Sequence, residues 1–352
     1  MNPNDPNEES AVKRTEISEL GEFGLIPHLV ENFQLRQSSS LKGIGDDAAV
    51  IDLGNQVLLV STDMLVEWTH FDLIYTPLKQ LGYKSVVVNL SDIYAMNGHP
   101  QQITVSIAVS NRYSVEALEE LYEGIRLACE YYKVDLVGGD TTSSPKGLVI
   151  SVTVIGRQEK TKVSYRSGAT PGDQIFTTGE LGGAYLGLQI LEREKQLFLS
   201  DPNIKPDLEN QDYLIGRFLK PEARKDAILW LDKAGVIPTA MIDLSDGLSS
   251  DLMQICKQST CGAVIFEDAI PMHPEAQLLA LKFNIDPITC ALNGGEDYEL
   301  LLTVKSEDTD KLKFLPGFYH IGEITESKSG IKLLSTSNKL HDLIAQGWKH
   351  FE

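Results

Sequence analysis

The residues most able to do chemistry are carboxylates, and several of them follow directly on short apolar runs instead of lying on exposed helix faces. They are Asp46 and Asp47 in GIGDDAAV, Asp63 in LLVSTDM, Asp140 in LVGGDTT, Asp243 and Asp246 in MIDLSDGL, and Glu296 and Asp297 in NGGEDYEL. A strand end opening into a Gly-rich turn is where an α/β protein usually places a ligand. One Asp in a turn is explained by its bonds to nearby amides or by helix capping. Several such turns gathered into one cleft would repel one another and raise their own pKa values, so convergence calls for a divalent cation. Carboxylates accompanied by Ser and Thr hydroxyls, without His pairs or thiolates, suit hard Mg²⁺ better than zinc. Mg²⁺ in such a site usually brings a nucleotide. Asn89 and Asp92 share one face of a helix expected over 77–97 and offer a further oxygen ligand; a solvated pair near a helix end is the plainer alternative.

Other chemistries find less support. An EF-hand loop opened by Asp243 would need Gly where Leu248 stands and Glu where Gln254 stands. The P-loop pattern and the protein-kinase HRD set are absent, and GIGDDA precedes a strand instead of opening a helix after one. Backbone amides near Gly138-Gly139, Gly179, Gly182-Gly183 and Gly294-Gly295 remain as phosphate contacts, and the helices after Gly182 and Gly247 would aim amide-rich ends at phosphates; tight turns explain the same glycines. No GxSxG elbow and no Cys in a polar turn supports nucleophilic catalysis. His70, close to Trp68 and Phe71, is a candidate for the cleft mouth, with a structural His as the plainer alternative. Arg166 is the best-placed cation for an anionic phosphate, with a surface loop charge as the plainer alternative.

These residues need a scaffold of strands and helices. Apolar spacing predicts a first helix over 16–33, strands at 56–60, 102–109 and 148–155, and a helix over 77–97 capped by Thr76 with Pro77 in its first turn. A further helix starts near Ser114 and leads into a strand ending in GGDTT. The turn-rich segment 165–173 reads as the domain junction. Beyond it come a strand at 174–178, a polar loop at 199–213, a helix from Pro221 to Ala234, then strand, IDLSDG and helix over 236–254, and short strands at 300–304 and 319–324. We expect a loose tail over 1–15, an N-terminal domain over 16–160 that binds metal and nucleotide, and a C-terminal domain over 161–352 that completes the site.

At 352 residues the chain is long enough for two domains with proper cores. Its 31 Lys and Arg against 50 Asp and Glu give a net charge of −19, whose field repels nucleic acid and anionic membranes. Four cysteines without a CxxC pair fit a reducing compartment, and no apolar run reaches the length of a bilayer span, so a cytoplasmic protein is expected.

Taken in order, GIGDDAAV, STDML followed by His70-Phe71, NLSDIYAMNGHP, LVGGDTT, YRSGATPGD, TGELGG, IDLSDGLSSDL, NGGEDYEL and the terminal GWKHF resemble the thiamine-monophosphate kinase family, from about Gly43 to Phe351. Two relatives in the wider superfamily fit less well. Selenophosphate synthetases carry an early reactive Cys, whereas the first here is Cys129, and the hydrogenase-maturation protein ends in a Cys that this chain lacks. The resemblance implies an α+β, two-domain aminoimidazole ribonucleotide synthetase-like fold. Its N-terminal mixed sheet dimerises, its C-terminal domain is an α/β sandwich, and ATP with several Mg²⁺ ions sits between the domains of a homodimer. It also implies that Asp47, Ser61, Thr62, Asp63, Asp92, Asp140, Asp243 and Asp246 ligate Mg²⁺. Tyr122, Gly139, Asp140, Arg166 and Ser245 would contact ATP, and His70, Glu296 and Trp348 would hold thiamine monophosphate. The implied reaction is ATP-dependent phosphorylation of that monophosphate to the diphosphate. A ring-closing synthetase on the same scaffold and a non-catalytic Mg-nucleotide sensor are the rival readings.

Overall fold

The computed structural model describes residues 17–344. The expected tail and Trp348 lie outside them. The first half runs α1 (Ile17–Val30), β1 (Ser40–Lys42), β2 (Ala49–Asp52), β3 (Gln56–Val66), α2 (Leu78–Ala95), β4 (His99–Val109), α3 (Val115–Tyr132), β5 (Asp135–Ser143) and β6 (Val149–Glu159). Its strands form one sheet in the order β1-β2-β3-β6-β4-β5, antiparallel except for the β4–β5 edge pair. Strand alternation turns Ile103, Val105 and Ile107 of β4 and Ile150, Val152 and Val154 of β6 inward, against Val86, Leu90 and Ile93 of α2 and Leu121 and Ile125 of α3.

The second half runs β7 (Gln174–Thr178), α4 (Gly183–Ser200), α5 (Asp212–Leu219), α6 (Lys225–Ala234), β8 (Ala240–Asp243), α7 (Leu248–Ser259), β9 (Gly262–Phe266), α8 (Pro274–Lys282), α9 (Pro287–Asn293), β10 (Leu300–Val304), α10 (Thr309–Leu312), β11 (Phe318–Thr325), β12 (Ile331–Leu334) and β13 (Leu340–Asp342). Its seven strands order as β13-β12-β9-β11-β7-β10-β8, with only β9–β12 parallel. The whole is an α+β fold of two sheets. No helix among the described residues is long and apolar enough to cross a membrane.

One apolar core joins the halves: Phe176, Ile228, Met241 and Leu300 pack into the same cluster as Val86 and Leu90. Helix α2 is therefore buried nearly all round, as a helix between two sheets must be. It crosses α3 at two facing glycines. A Cβ on Gly82 would lie 1.9 Å from the Leu121 carbonyl oxygen, and one on Gly124 would lie 1.9 Å from that of Lys79.

The structure departs from the sequence reading in places with evident causes. Strand β3 continues to Val66, because Ser61, Thr62 and Asp63 stay paired with Val154, Thr153 and Val152 of β6; Asp63 therefore lies within a strand. Thr76 does not cap α2; its hydroxyl is buried without a partner and Pro77 occupies the cap position. Helix α6 starts at Lys225 instead of Pro221, since the Ala223 amide is drawn to the Tyr132 hydroxyl at 2.8 Å. Ser114 does cap α3, accepting the Ala117 amide.

We expect Gly82→Ala to destabilise the protein by about 1–3 kcal/mol, because the clash is with backbone that cannot rotate away. Gly216→Ala in α5, whose Cβ meets nothing within 4 Å, should leave stability unchanged or slightly raised. Thermal unfolding of both variants checks the pair.

Candidate active site

A cleft of about 1490 Å³ opens between the two sheets. At one end three elements converge: the turn before β2 brings Asp47, α2 brings Asp92 and the end of β8 brings Asp243, with one oxygen from each within 4.8 Å of the others. Each is held. Arg166 donates to Asp47 Oδ1 from Nη2 at 2.6 Å and from Nε at 3.2 Å, and its amide donates to Asp46 at 3.0 Å. The Ser61 hydroxyl donates to Asp92 Oδ2 at 2.6 Å, and the Ser91 hydroxyl donates to Asp243 Oδ2 at 2.6 Å. Asn89 accepts the Asp63 amide at 2.9 Å, which fixes β3 against α2. Asn89 is buried and serves as this clamp, not as half of a solvated pair. Asp47 Oδ2 is buried with no hydrogen-bond partner.

Burial and mutual repulsion raise the pKa values here. Burial pushes Asp47 up to about 7 against the pull of Arg166, and Asp243 up to about 6 against Ser91 and Arg166. Asp92 stands well above the usual range through burial and through Asp63, Asp243 and Asp47. Asp63 opens on the cleft, yet crowding protein and the Asp47 charge raise it too.

The helix ends behave differently from the expectation. The Asp297 carboxylate takes the Gly182 amide at 2.7 Å and the Ala184 amide at 3.4 Å, which uses the start of α4. Asp251 takes the amides of Asp246 and Gly247, each at 3.2 Å, which uses the start of α7. These four amides are bonded to the chain's own carboxylates. Asp246 and Ser245 themselves line the cleft.

At the far end the NGGEDYEL turn is laced to the IDLSDG turn, the Glu296 amide donating to Ser245 O at 2.7 Å and the Tyr298 amide to Leu244 O at 2.9 Å. Glu296 and Tyr298 adopt left-handed backbone, φ 58° and 50°, which non-glycine residues rarely do and which turns both toward the cleft. The buried Lys84 of α2 donates to Glu296 Oε2 at 2.7 Å and to Phe218 O at 3.1 Å. His70 lines the same end and accepts the Val66 amide on Nδ1 at 3.0 Å. Trp68, Phe71, Tyr75, Tyr185 and Phe218 complete an aromatic wall.

Of the expected site residues, Asp47, Ser61, Thr62, Gly139, Asp140 and Tyr122 are not among the cleft residues; Asp47 and Ser61 stand behind it, bonded to Arg166 and Asp92, which line it. Asp63 faces Val152, which faces Val105, which faces Gly139. Two strands therefore separate β3 from β5, about 14 Å at the usual strand spacing. Thr62 points to the opposite face from Ser61, bonded to Thr153, and the register puts Asp140 on that same open face, in line with Ser106 and Ser151. Tyr122 on α3 packs against the core.

Two domain families match the chain: the N-terminal domain of AIR synthase related protein over residues 45–158 and its C-terminal domain over 170–333. Thiamine-monophosphate kinases of Buchnera aphidicola subsp. Schizaphis graminum and of Bacillus subtilis are 38% and 35% identical over 340 and 341 residues, spanning 95% of this chain and 99% and 100% of theirs. The chain belongs to the thiamine-monophosphate kinase family. Among solved structures, AaThiL complexed with AMPPCP and TMP superposes with a TM-score of 0.81 at 32% identity, covering 96% of this chain and 99% of that one.

For a thiamine-monophosphate kinase the residues that escaped the sequence reading are the supporting ones, Lys84, Asp251 and Asp297 in its capping role. Lys84 interrupts an apolar stretch, LGYKSVVVNL, and a Lys that must be buried must also be paired, a usable signal. Asp251 in the first turn of α7 has the position from which a side chain reaches back to the preceding amides.

The raised carboxylates set the pH response of the metal-free protein. Their native pKa values exceed the unfolded one, so between about 4 and 7 the native chain holds more protons and stability falls as pH rises. A divalent cation needs the ionised forms and should stabilise more at higher pH. We expect the melting temperature in a chelator to fall from about pH 5 to about pH 8, and added Mg²⁺ to raise it mainly at the upper end. A flat profile in the chelator would contradict a repelling carboxylate trio.

Proposed function

We propose that this cleft moves the γ-phosphoryl group of ATP directly onto the phosphate of thiamine monophosphate, giving thiamine diphosphate and ADP. Family membership supplies the reaction, and the likeness to AaThiL with AMPPCP and TMP supports one cleft taking both a nucleotide and the acceptor. The observation that carries the chemistry is the trio of Asp47, Asp92 and Asp243 with the orphaned Asp47 oxygen. Hard oxygen donors at this spacing, one of them lacking any protein partner, fit Mg²⁺. Asp47, Asp92 and Asp243 would hold it, with Asp63 and Asp246 at the rim. When bound, Mg²⁺ supplies charge neutralisation for two polyanions that must meet in line.

The chain's own groups do the rest. Ser61, Ser91 and Arg166 each engage one carboxylate oxygen and so fix how the others point. Arg166 offers a cation beside the nucleotide end. Lys84 sets Glu296, which together with His70 positions the acceptor. The nucleophile is already an anionic phosphate oxygen, so no strong general base is needed.

The same proposal extends to a second copy of the chain and to the reducing cytoplasm, where the four free cysteines would persist. Strand β5 is exposed along its whole length, with Leu136 and Val137 open to solvent, an edge that proteins rarely leave uncovered. Asp140 is separated from Asp63 by two strands and lies on the opposite face of the sheet. Pairing through this sheet would let each copy lend Gly139 and Asp140 to its partner's site.

Purified protein given ATP, Mg²⁺ and thiamine monophosphate should form equal amounts of thiamine diphosphate and ADP, and none from free thiamine; ADP without the diphosphate would refute the assignment. Subunit sharing has its own measurement. Asp63→Asn and Asp140→Asn should each be inactive, yet mixing and refolding them together should restore about a quarter of wild-type activity, because half the dimers keep one intact site of two. No recovery would place both residues in one chain's site.

A further inference from the structure

The aromatic end of the cleft contains a charge arrangement that the metal end does not explain. The loop before α2 contributes Asp72 and Tyr75, and α4 contributes Glu192 and Lys195, all lining the cleft. Lys195 Nζ lies 3.0 Å from Asp72 Oδ2 and 3.2 Å from both Glu192 oxygens. It also stands over the Tyr75 ring, 5.6 Å from the centroid. The Tyr75 hydroxyl donates to Glu192 Oε1 at 2.7 Å, and its ring tilts against Phe218 at 6.4 Å. An ammonium held between two carboxylates over an aromatic face is the environment that proteins build for organic cations. Two negative charges against one positive leave a surplus negative charge, whereas the neighbouring Glu296 is already balanced by Lys84.

We propose that Glu192 and Asp72, with the Tyr75 ring, select the positively charged ring of the acceptor, and that Lys195 holds this pair in shape until that ring displaces it. The inference rests on the function proposed above. Thiamine monophosphate carries a permanent positive charge on its thiazolium ring, one short arm away from the phosphate. With the phosphate directed to the carboxylate trio, the ring extends toward the aromatic wall where Lys195 now sits. Burial and the Glu192 carboxylate hold the Tyr75 phenol above its ordinary pKa, so it remains a donor to Glu192.

The test uses Glu192→Gln and Lys195→Met in the full chain, with thiamine diphosphate formation as readout. Glu192→Gln should raise the KM for thiamine monophosphate about tenfold, the scale of one partly desolvated charge contact, with the KM for ATP unchanged. Its inhibition constant for the uncharged thiazole phosphate, which lacks the quaternary nitrogen, should match that of the wild type. Lys195→Met should lower the KM for thiamine monophosphate, since the competing ammonium is gone. An unchanged KM in Glu192→Gln, an equal loss toward the uncharged phosphate, or a raised KM in Lys195→Met would overturn the proposal while leaving the kinase assignment intact. Absence of thiamine diphosphate from the wild type would instead remove the assignment itself.

Discussion

Repulsion among buried carboxylates is the constraint around which this structure is organised. Two unit charges about 4–5 Å apart at an effective dielectric near 20 repel by roughly 3–4 kcal/mol, so three ionised groups at that spacing approach the whole stability of a typical domain, about 5–15 kcal/mol. The site tolerates Asp47, Asp92 and Asp243 together because Arg166, Ser61 and Ser91 each satisfy one oxygen and because burial and repulsion raise their pKa values, which disfavours full ionisation of the trio. The rest of the fold serves this convergence. Three elements from two sheets must meet, and α2, buried between those sheets and seated on α3 through Gly82 and Gly124, carries Asn89, Ser91 and Asp92 to the meeting point.

The cleft divides its labour by charge type. One end gathers the carboxylates of Asp47, Asp92 and Asp243, while the other mixes aromatic rings with ion pairs, Lys84 with Glu296 and Lys195 with Asp72 and Glu192. Carboxylates outside this trio have different tasks. Asp297 and Asp251 close the starts of α4 and α7, and Glu299, fully buried, binds Arg217, Arg224 and Thr178. The chain thus uses the same residue type for three purposes, and only the partners around each tell them apart.

That distinction marks where sequence reasoning succeeded. The carboxylates that converge were legible because each sits in an apolar context that strands and turns explain, and the order of motifs named the family. Helix α3 was legible from its stripe and from Ser114. The roles of Asp297 and Asp251 were not, because a capping Asp and a ligand Asp look alike until the amides they accept are known. The extension of β3 through Asp63 was hidden as well, since its polar stretch Ser61-Thr62-Asp63 breaks the apolar pattern while the β6 ladder holds it in register. The Lys195 arrangement depends on a loop and a helix far apart in sequence, and no local period could have brought them together.

Helix α2 has one more consequence. Near its start it grips the second half through Lys84, bonded to Glu296 and Phe218, and near its end it does so again through Ser91, bonded to Asp243. A body fastened at two separated points by buried polar contacts, within a core shared by both halves, does not swing on a hinge. Opening the two sheets as rigid shells would have to break both contacts and divide the shared core. The short segment bearing Asp72 and Tyr75, tied to α4 by the Tyr75–Glu192 hydrogen bond and the Asp72–Lys195 ion pair, is the smaller piece that can part without dividing that core.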